Sequence, residues 1–455
     1  MTMTVSSQAG AARRFWQHPV RIVAAGLVAA IAIGTLLLML PAARAGPDRS
    51  DFFTALFTAT SAISTTGLAI TDTDTYWSTF GQVIITLLTQ VGGYGIITGA
   101  MLTLLLVSHR LGLRGRLVLT AESKLRLDIG NTRALLVWTA TAMLVCEAVI
   151  AAILTLRFWT SYEDPLGRAA WHGVFHAVQA FNNGGFALFT AGPDRLIGDV
   201  WVSLPLTLGV IVGSLGFPVL FELLHRHRPR QWSIQARLTV WGTLILLAAG
   251  LLATLYFERD NPATLRPLDP GRRLLVSFVL GAIPRSGGFY AVDFGELHEE
   301  SLAVTTILMF IGGGSASTAG GIKVTTFFLL GYVIWAELRG EPDVVIGRRR
   351  IASVTQRQAL TVALLSVALV IAATLILTRE TSGVPLNHLL FEVVSAFSTA
   401  GLSLGIAPTL SLPGQVVLMI LMFVGRLGTI VAASALAVNT RHRHYRYPEE
   451  RPIVG

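Results

Sequence analysis

The chain has 455 residues, of which 53% are hydrophobic and 13% charged, and its 35 Lys and Arg outnumber 26 Asp and Glu to give a formal charge of +9. Soluble domains carry about 25% charged residues, so this composition excludes a string of ordinary soluble domains and selects a chain dissolved in a lipid bilayer. The one cysteine, Cys146, excludes an internal disulfide framework and a cysteine metal site. In chain order, about 19 residues precede the first apolar run, Val20 to Leu40. A run of about 20 residues is long enough to cross roughly 30 Å of hydrocarbon. It exceeds the roughly 7 to 15 apolar residues of a secretion signal, although Ala42-Ala43-Arg44-Ala45 behind it looks superficially like a cleavage site.

Further long apolar helices are predicted at about 79–107, 134–156, 200–224, 236–257, 299–336, 357–378 and 413–438, which with 20–41 makes eight spans. Assigning the connecting loops alternately to the two faces puts 22 Lys and Arg on the side holding both termini and 10 on the other. The first set includes Arg110, Arg114, Arg116, Lys124 and Arg126 in one loop, Arg226, Arg228 and Arg230 in another, and Arg348, Arg349 and Arg350 in a third. By the positive-inside rule that side is cytoplasmic, so the positive charge is a topology signal rather than a nucleic-acid footprint. Asp72, Asp74, Asp293, Glu296, Glu299 and Glu300 lie in outer loops, where they either attract cations or form a solvated surface.

Four segments align internally: FTATSAISTTGL from Phe57, FHAVQAFNNGGF from Phe175, FVLGAIPRSGGF from Phe278 and FEVVSAFSTAGL from Phe391. In each, the phenylalanine stands ten residues before a glycine, Gly67, Gly185, Gly288 or Gly401. A second glycine signal follows in the next apolar run: VGGYG at Val91, VGSLG at Val212, IGGGS at Ile311 and VGRLG at Val424. The repeating unit is a long helix, a short half-apolar helix, a glycine turn and a second long helix. Segments such as 50–62 and 387–397 are too short to cross and read as re-entrant half-helices. Non-helical backbone at membrane depth has to be buried in protein or line a cavity, and four such stretches most simply surround one axis.

Half-helices entering from outside point their C-termini, the negative end of the helix dipole, at that axis and favour a cation there. The turns are small or polar: Ser64-Thr65-Thr66-Gly67, Asn182-Asn183-Gly184-Gly185, Arg285-Ser286-Gly287-Gly288 and Ser398-Thr399-Ala400-Gly401. Glycine lets backbone carbonyls turn inward, the arrangement by which potassium filters replace a hydration shell. The competing reading of membrane glycines is close helix packing. Asn182 and Asn183 either face the ion or orient the second turn through hydrogen bonds.

Within the predicted span 299–336, Gly312 to Lys323 (GGGSASTAGGIK) interrupts the apolar run and cannot stay helical at low cost. It fails the phosphate-loop pattern, since Gly321 is followed by Ile322, and reads instead as a movable intramembrane barrier. Its residues Gly312, Gly313, Gly314, Ser315, Ser317, Thr318, Gly320, Gly321 and Lys323 are gate candidates, together with Arg426, a cation predicted at mid-membrane. Arg285 is expected to be structural, and Glu147 and Glu222 are candidates for intramembrane pairing. The ten histidines show no metal-ligand spacing.

STTGL, NNGGF, RSGGF and STAGL, each after a half-helix, closely resemble the four filter segments of the Trk/Ktr/HKT superfamily of potassium transporters, over about Val20 to Val438. With its first span near residue 20, the chain looks more like the shorter, Ktr-type ion-translocating subunit. The resemblance implies K+ held at Thr65, Thr66, Gly67, Asn183, Gly184, Gly185, Ser286, Gly287, Gly288, Thr399, Ala400 and Gly401. It also implies a gating loop at 312–321 with an arginine beside it at Arg426, a homodimer, and a cytoplasmic ring of nucleotide-binding KtrA/TrkA-like subunits. In the family, serine at the first filter glycine favours sodium in some plant members; Gly67 stands there, which favours potassium, with Na+ left open as a stimulating or co-transported ion. Gly184 replaces a more usual alanine, and Pro284 precedes Arg285. The expected organisation is a cytoplasmic tail 1–19, pore units 20–108, 133–225, 235–337 and 354–438, and a cytoplasmic tail 439–455 in the bacterial inner membrane. Two rival functions remain: the ion-conducting subunit of a potassium-pumping ATPase, which should carry extra spans, and an intramembrane lipid-modifying enzyme, which needs paired acids or a nucleophile and base.

Overall fold

The computed structural model describes residues 19–46, 49–110, 132–162, 165–188, 198–226, 228–288, 293–381 and 383–438. Residues 1–18 and 439–455 of the expected tails, and the loop carrying Arg114, Arg116, Lys124 and Arg126, lie outside the described residues.

The first stretch runs from α1 (Pro19–Leu38) through a short α2 (Phe52–Ile63) to α3 (Thr79–Arg110). The second has α4 (Thr132–Ser161), α5 (Leu166–Asn182), α6 (Val200–Leu215) and α7 (Phe217–His225). The third has α8 (Ile234–Phe257), α9 (Pro270–Ala282), α10 (Glu299–Phe310) and α11 (Val324–Leu338). The fourth has α12 (Ser353–Glu380), α13 (Leu386–Ser398) and α14 (Leu412–Val438). A small hairpin pairs β1 (Val345–Ile346) with β2 (Arg349–Arg350) between the last two stretches.

Helix starts follow local chemistry. Asp51 caps α2 through the Phe53 N–H, Asp199 caps α6 through the Trp201 N–H, and Asp269 caps α9, where Pro270 occupies the first helical position that lacks an N–H partner anyway. Among the described residues, Leu136–Ser161, Ile234–Phe257 and Ser353–Glu380 are long and apolar enough to cross a membrane. They turn apolar side chains outward, as α12 does with Leu360, Leu364, Leu365, Ile371 and Leu375 at helical spacing. Such a surface is stable in hydrocarbon and a liability in water.

The short helices stand inside. Phe57, Phe175 and Phe391 are fully buried and Phe278 is half-buried. Each short helix packs against the long helix before it: α2 on α1, α5 on α4, α9 on α8 and α13 on α12. Packing also runs onward, α3 against α5, α6 against α9, α10 against α13, and α14 back against α2. The chain thus closes on itself.

The expected single span over 200–224 is not one helix. α6 and α7 meet at a 98° bend at Gly216. Gly216 sits at φ +88°, a conformation glycine tolerates, and Pro218 starts α7 without an N–H to continue α6. The freed Phe217 N–H donates to Ala316 O at 3.3 Å. The bend is therefore supported by a segment about a hundred residues further along the chain.

Candidate functional site

After α2 the chain closes a Schellman-type cap, with Thr65 left-handed at φ +50° and the Thr66 N–H donating to Ser61 O at 2.8 Å. The closure recurs after α5, with Asn183 at φ +56° and Gly184 N donating to Gln179 O at 2.7 Å. It recurs after α13, with Thr399 at φ +49° and Ala400 N donating to Ser395 O at 2.9 Å. The turn after α9 differs because Pro284 tightens Ile283–Arg285 into a 3-10 turn; there Gly287 N donates to Ile283 O at 2.7 Å and Ser286 lies at φ +98°. A β-branched threonine in left-handed backbone stores strain of about 1–3 kcal/mol, which persists only where its surroundings hold it.

Two residues beyond each of these, Gly67 (φ +84°), Gly185 (φ +74°), Gly288 (φ +63°) and Gly401 (φ +79°) are packed backbone to backbone. A Cβ on Gly67 would stand 2.5 Å from Gly184 O and 2.7 Å from Gly185 Cα; on Gly185 it would stand 2.8 Å from Gly288 Cα. On Gly288 it would stand 3.3 Å from Ala400 O, and on Gly401 it would collide with Thr66 O. The four glycines form a closed ring into which the carbonyls of Thr66, Gly184 and Ala400 press. No side chain fits there.

The second glycine signals serve a different end. A Cβ at Gly92, Gly213 or Gly425 would strike the carbonyl group of Ile63, Phe181 or Phe397, each two residues before a left-handed turn residue. These are packing glycines, which let α3, α6 and α14 lie against the ends of α2, α5 and α13.

The backbone between α10 and α11 leaves the helix at Ile311 and folds under the ring. Its neck is closed by Gly312 N to Ile322 O (2.9 Å) and Ile322 N to Phe310 O (3.2 Å). The first limb docks on the α6 bend, Gly314 N donating to Ser214 O at 2.7 Å and Thr318 N to Gly213 O at 3.3 Å. Ser315 reaches Thr325 on α11 (3.1 Å), and the Ser317 hydroxyl accepts from Ala319 N, so both hydroxyls are bonded within the loop and α11. Thr318 and Gly320 touch the turns. Thr65 Oγ1 donates to Thr318 O at 3.4 Å. The Asn183 amide oxygen accepts from Thr318 Oγ1 (3.0 Å) and Ser214 Oγ (2.9 Å), while its nitrogen donates to Ala180 O (3.2 Å) and Val210 O (3.3 Å). Gly320 lies against the Ser398 carbonyl and Thr399 hydroxyl, and Gly321 against the Ser398 side chain.

Three buried cations surround the loop. Arg426, 2% exposed, donates to Thr318 O and, at 3.5 Å, to Gly92 O. Lys323 Nζ donates to Ala319 O at 2.5 Å. Arg285 turns away from the ring toward the neck, donating to Thr243 Oγ1 at 3.2 Å and Gly312 O at 3.4 Å. Among the described residues no carboxylate lies within salt-bridge distance of any of the three. Glu222 does find a cation, Arg226 at 2.9 Å, and also accepts from Ser233 N and Oγ, both at 2.7 Å. Glu147 accepts instead from Gln90 Nε2 (3.0 Å) and Asn182 Nδ2 (2.9 Å).

The model of the family described as "TrkH: Cation transport protein" matches residues 4–442. The chain belongs to the TrkH family. Among its relatives, the Ktr system potassium uptake protein B of Bacillus subtilis is 37% identical over 96% of this chain and 97% of that one. The potassium/sodium uptake protein NtpJ of Enterococcus hirae is 32% identical over 96% and 97%. The crystal structure of the potassium transporter TrkH from Vibrio parahaemolyticus shares the fold with a TM-score of 0.69 at 18% identity, over 94% of this chain and 86% of that one. The TrkH family and these relatives are ion transporters, not enzymes, and the outward apolar helices fit a membrane protein.

In this TrkH-family chain the four turns meet at the ring through Thr66, Gly184, Ala400 and the four glycines, with Thr318, Gly320, Gly321 and Arg426 packed on the loop side and Arg285 turned away. Sequence reasoning missed two buried braces. The residue after each aligned phenylalanine reads Thr58, His176, Val279 and Glu392. His176 Nε2 accepts from Leu188 N at 3.2 Å, and Glu392 accepts from Leu404 N at 3.3 Å, both twelve residues on. Glu392 also accepts from Ser403 Oγ (2.7 Å) and Ala407 N (3.2 Å). A polar residue at one register of an otherwise apolar half-helix was the available signal. Glu392→Ala strands two backbone N–H groups and a hydroxyl, and is expected to cost roughly 2–4 kcal/mol. A thermal-unfolding scan of detergent-solubilised protein checks this, with Glu392→Gln falling between the alanine variant and wild type.

Proposed function

We propose that the chain conducts potassium into the cell through the glycine ring, with the 311–323 loop as the gate beneath it. One observation carries the reading: four left-handed glycine turns, from four separate stretches, meet in a closed ring of backbone that the loop caps. Carbonyl dipoles around a point replace the hydration shell of a monovalent cation. In support, Ser61, Gln179, Asn182, Ser395, Ser398 and Thr399 each keep a buried polar atom with no protein partner at the feet of the short helices. Such atoms are satisfied by water or by an ion.

On this reading the four stretches are four copies of one unit. Their long helices make eight spans around the ring, with both termini in the cytoplasm of a bacterial inner membrane. The cyclic packing of each stretch on the next supports it. Arg426 holds Thr318 O under the ring and sets a positive charge on the path, so the capped state opposes cation passage. Thr65, Thr66, Asn183, Gly184, Ser286, Gly287, Thr399, Ala400 and the four ring glycines form the filter. A second copy and a cytoplasmic ring of nucleotide-binding subunits complete the assembly, the latter docking on the basic inner loops. Named relatives take up potassium, or potassium and sodium, so the substrate here is potassium, with sodium as the competing or coupled ion.

Potassium and sodium flux into liposomes, wild type against Gly67→Ser, tests the filter. Wild type is expected to favour potassium and the variant to lower the ratio several-fold. Expression of the chain with its regulatory partner is expected to restore potassium-limited growth to an uptake-deficient bacterium. Absence of both growth and flux overturns the pore.

A further inference from the structure

Resting on that pore reading, we propose that the Glu147 carboxylate sets how tightly a cation is held at the glycine ring. Glu147 lies 5% exposed near the middle of α4, so it is far from water at either end of a helix about 45 Å long. A carboxylate at that depth is costly to place and marks a function unless a partner neutralises it. No cation does so among the described residues. Oε1 accepts from Asn182 Nδ2 at 2.9 Å and Oε2 from Gln90 Nε2 at 3.0 Å. Both oxygens face amide nitrogens, an arrangement that suits the ionised form and brings no cation to it. Neutral donors stabilise the charge and leave it uncancelled.

The partners place that charge. Asn182 is the last residue of α5 and leads directly into the left-handed Asn183 and the ring glycine Gly185. Its Nδ2 lies 2.8–2.9 Å from three oxygens, those of Gln90, Glu147 and Val178, which fixes the side chain. Gln90 comes from α3, two residues before Gly92, whose carbonyl accepts from Arg426. Three residues of chain, the Asn182 side chain and one hydrogen bond separate the carboxylate from Gly185, a span of at most about 17 Å. A unit charge at about 17 Å and an effective dielectric of about 20 changes a cation's binding constant roughly fivefold. Other buried charges stand around the loop: Arg426 at Thr318 O, Lys323 at Ala319 O and Arg285 at the neck all oppose a cation. Glu392 braces the outgoing strand of the fourth turn with three donors. Glu147 offsets the cations from within the second unit, next to the turn itself.

Glu147 is a positioning residue for the ion, acting through charge rather than contact, and its test separates charge from fold. Uptake is measured in liposomes over a range of potassium concentrations for wild type, Glu147→Gln, Glu147→Asp and Gln90→Met. Glu147→Gln should raise the half-saturating potassium concentration about five- to tenfold with the maximal rate within twofold of wild type. Glu147→Asp should restore most of the affinity. Gln90→Met removes two hydrogen bonds, one to Glu147 and one from Asn182, and keeps the charge, so its half-saturation should move less than twofold. Equal losses in Glu147→Gln and Gln90→Met, or an unchanged half-saturation in Glu147→Gln, overturn the proposal. If Glu147→Gln does not accumulate, Glu147→Asp matching wild type while Gln90→Met shifts several-fold overturns it as well. No potassium flux in wild type would instead overturn the pore reading.

Discussion

Potassium uptake by a Gly401→Ala variant is expected to fall about a hundredfold or more. The residue sits at φ +79°, and an added Cβ would collide with Thr66 O and stand 3.1 Å from Gly288 Cα. Both obstacles are backbone, so neither can rotate aside. Relief requires the first turn to withdraw a carbonyl from the ring, and losing one oxygen from an ion's shell costs on the order of 3 kcal/mol, about two decades in affinity. Gly331→Ala, on α11 where a Cβ meets nothing within 4 Å, is the control and should transport as wild type does. Flux into liposomes from monodisperse protein gives the measurement. Wild-type uptake by Gly401→Ala would mean that ions do not pass the ring.

The second large effect has the opposite sign. Arg426→Ala removes a buried cation from the path and releases Thr318 O, and flux without any regulatory partner is expected to rise about tenfold. Deleting Gly313 to Gly320 should also raise flux. The deletion is the coarser experiment, because it also takes away the loop's bonds to Gly213, Ser214 and Phe217 at the α6–α7 bend. Arg426→Lys keeps a charge but loses the planar two-partner grip, and should lie between alanine and wild type. Unchanged or lower flux from Arg426→Ala at wild-type protein levels would show that the arginine does not restrain the ion.

Much of the site could be read from the sequence because its strongest signals are local. Glycine spacing, the short apolar helices and the glycine-rich interruption are set by residues within a few positions of one another. The left-handed backbone of Thr65 and Thr399 had no such signal, since threonine disfavours it and a cap closed by the preceding helix imposes it. The bend at Gly216 was hidden because VGSLG reads like VGGYG, which stays helical. What separates them is Pro218 and a partner carbonyl from Ala316, a contact that sequence spacing does not reveal. Arg285, expected to be structural, is a tether whose guanidinium reaches Thr243 and Gly312, partners that sequence spacing does not reveal.

Thr318 is shared. Its carbonyl accepts from Thr65 and Arg426, and its hydroxyl meets Asn183, so one residue of the loop buttresses two of the strained turns. If the loop is the gate, as proposed, withdrawing it removes support from those turns in the same motion that clears the path. On that reading, ion binding at the ring and release of the loop are linked equilibria rather than separate modules. An ion that holds the turns in shape from within would then favour the released loop, so occupancy itself would act as an activating signal.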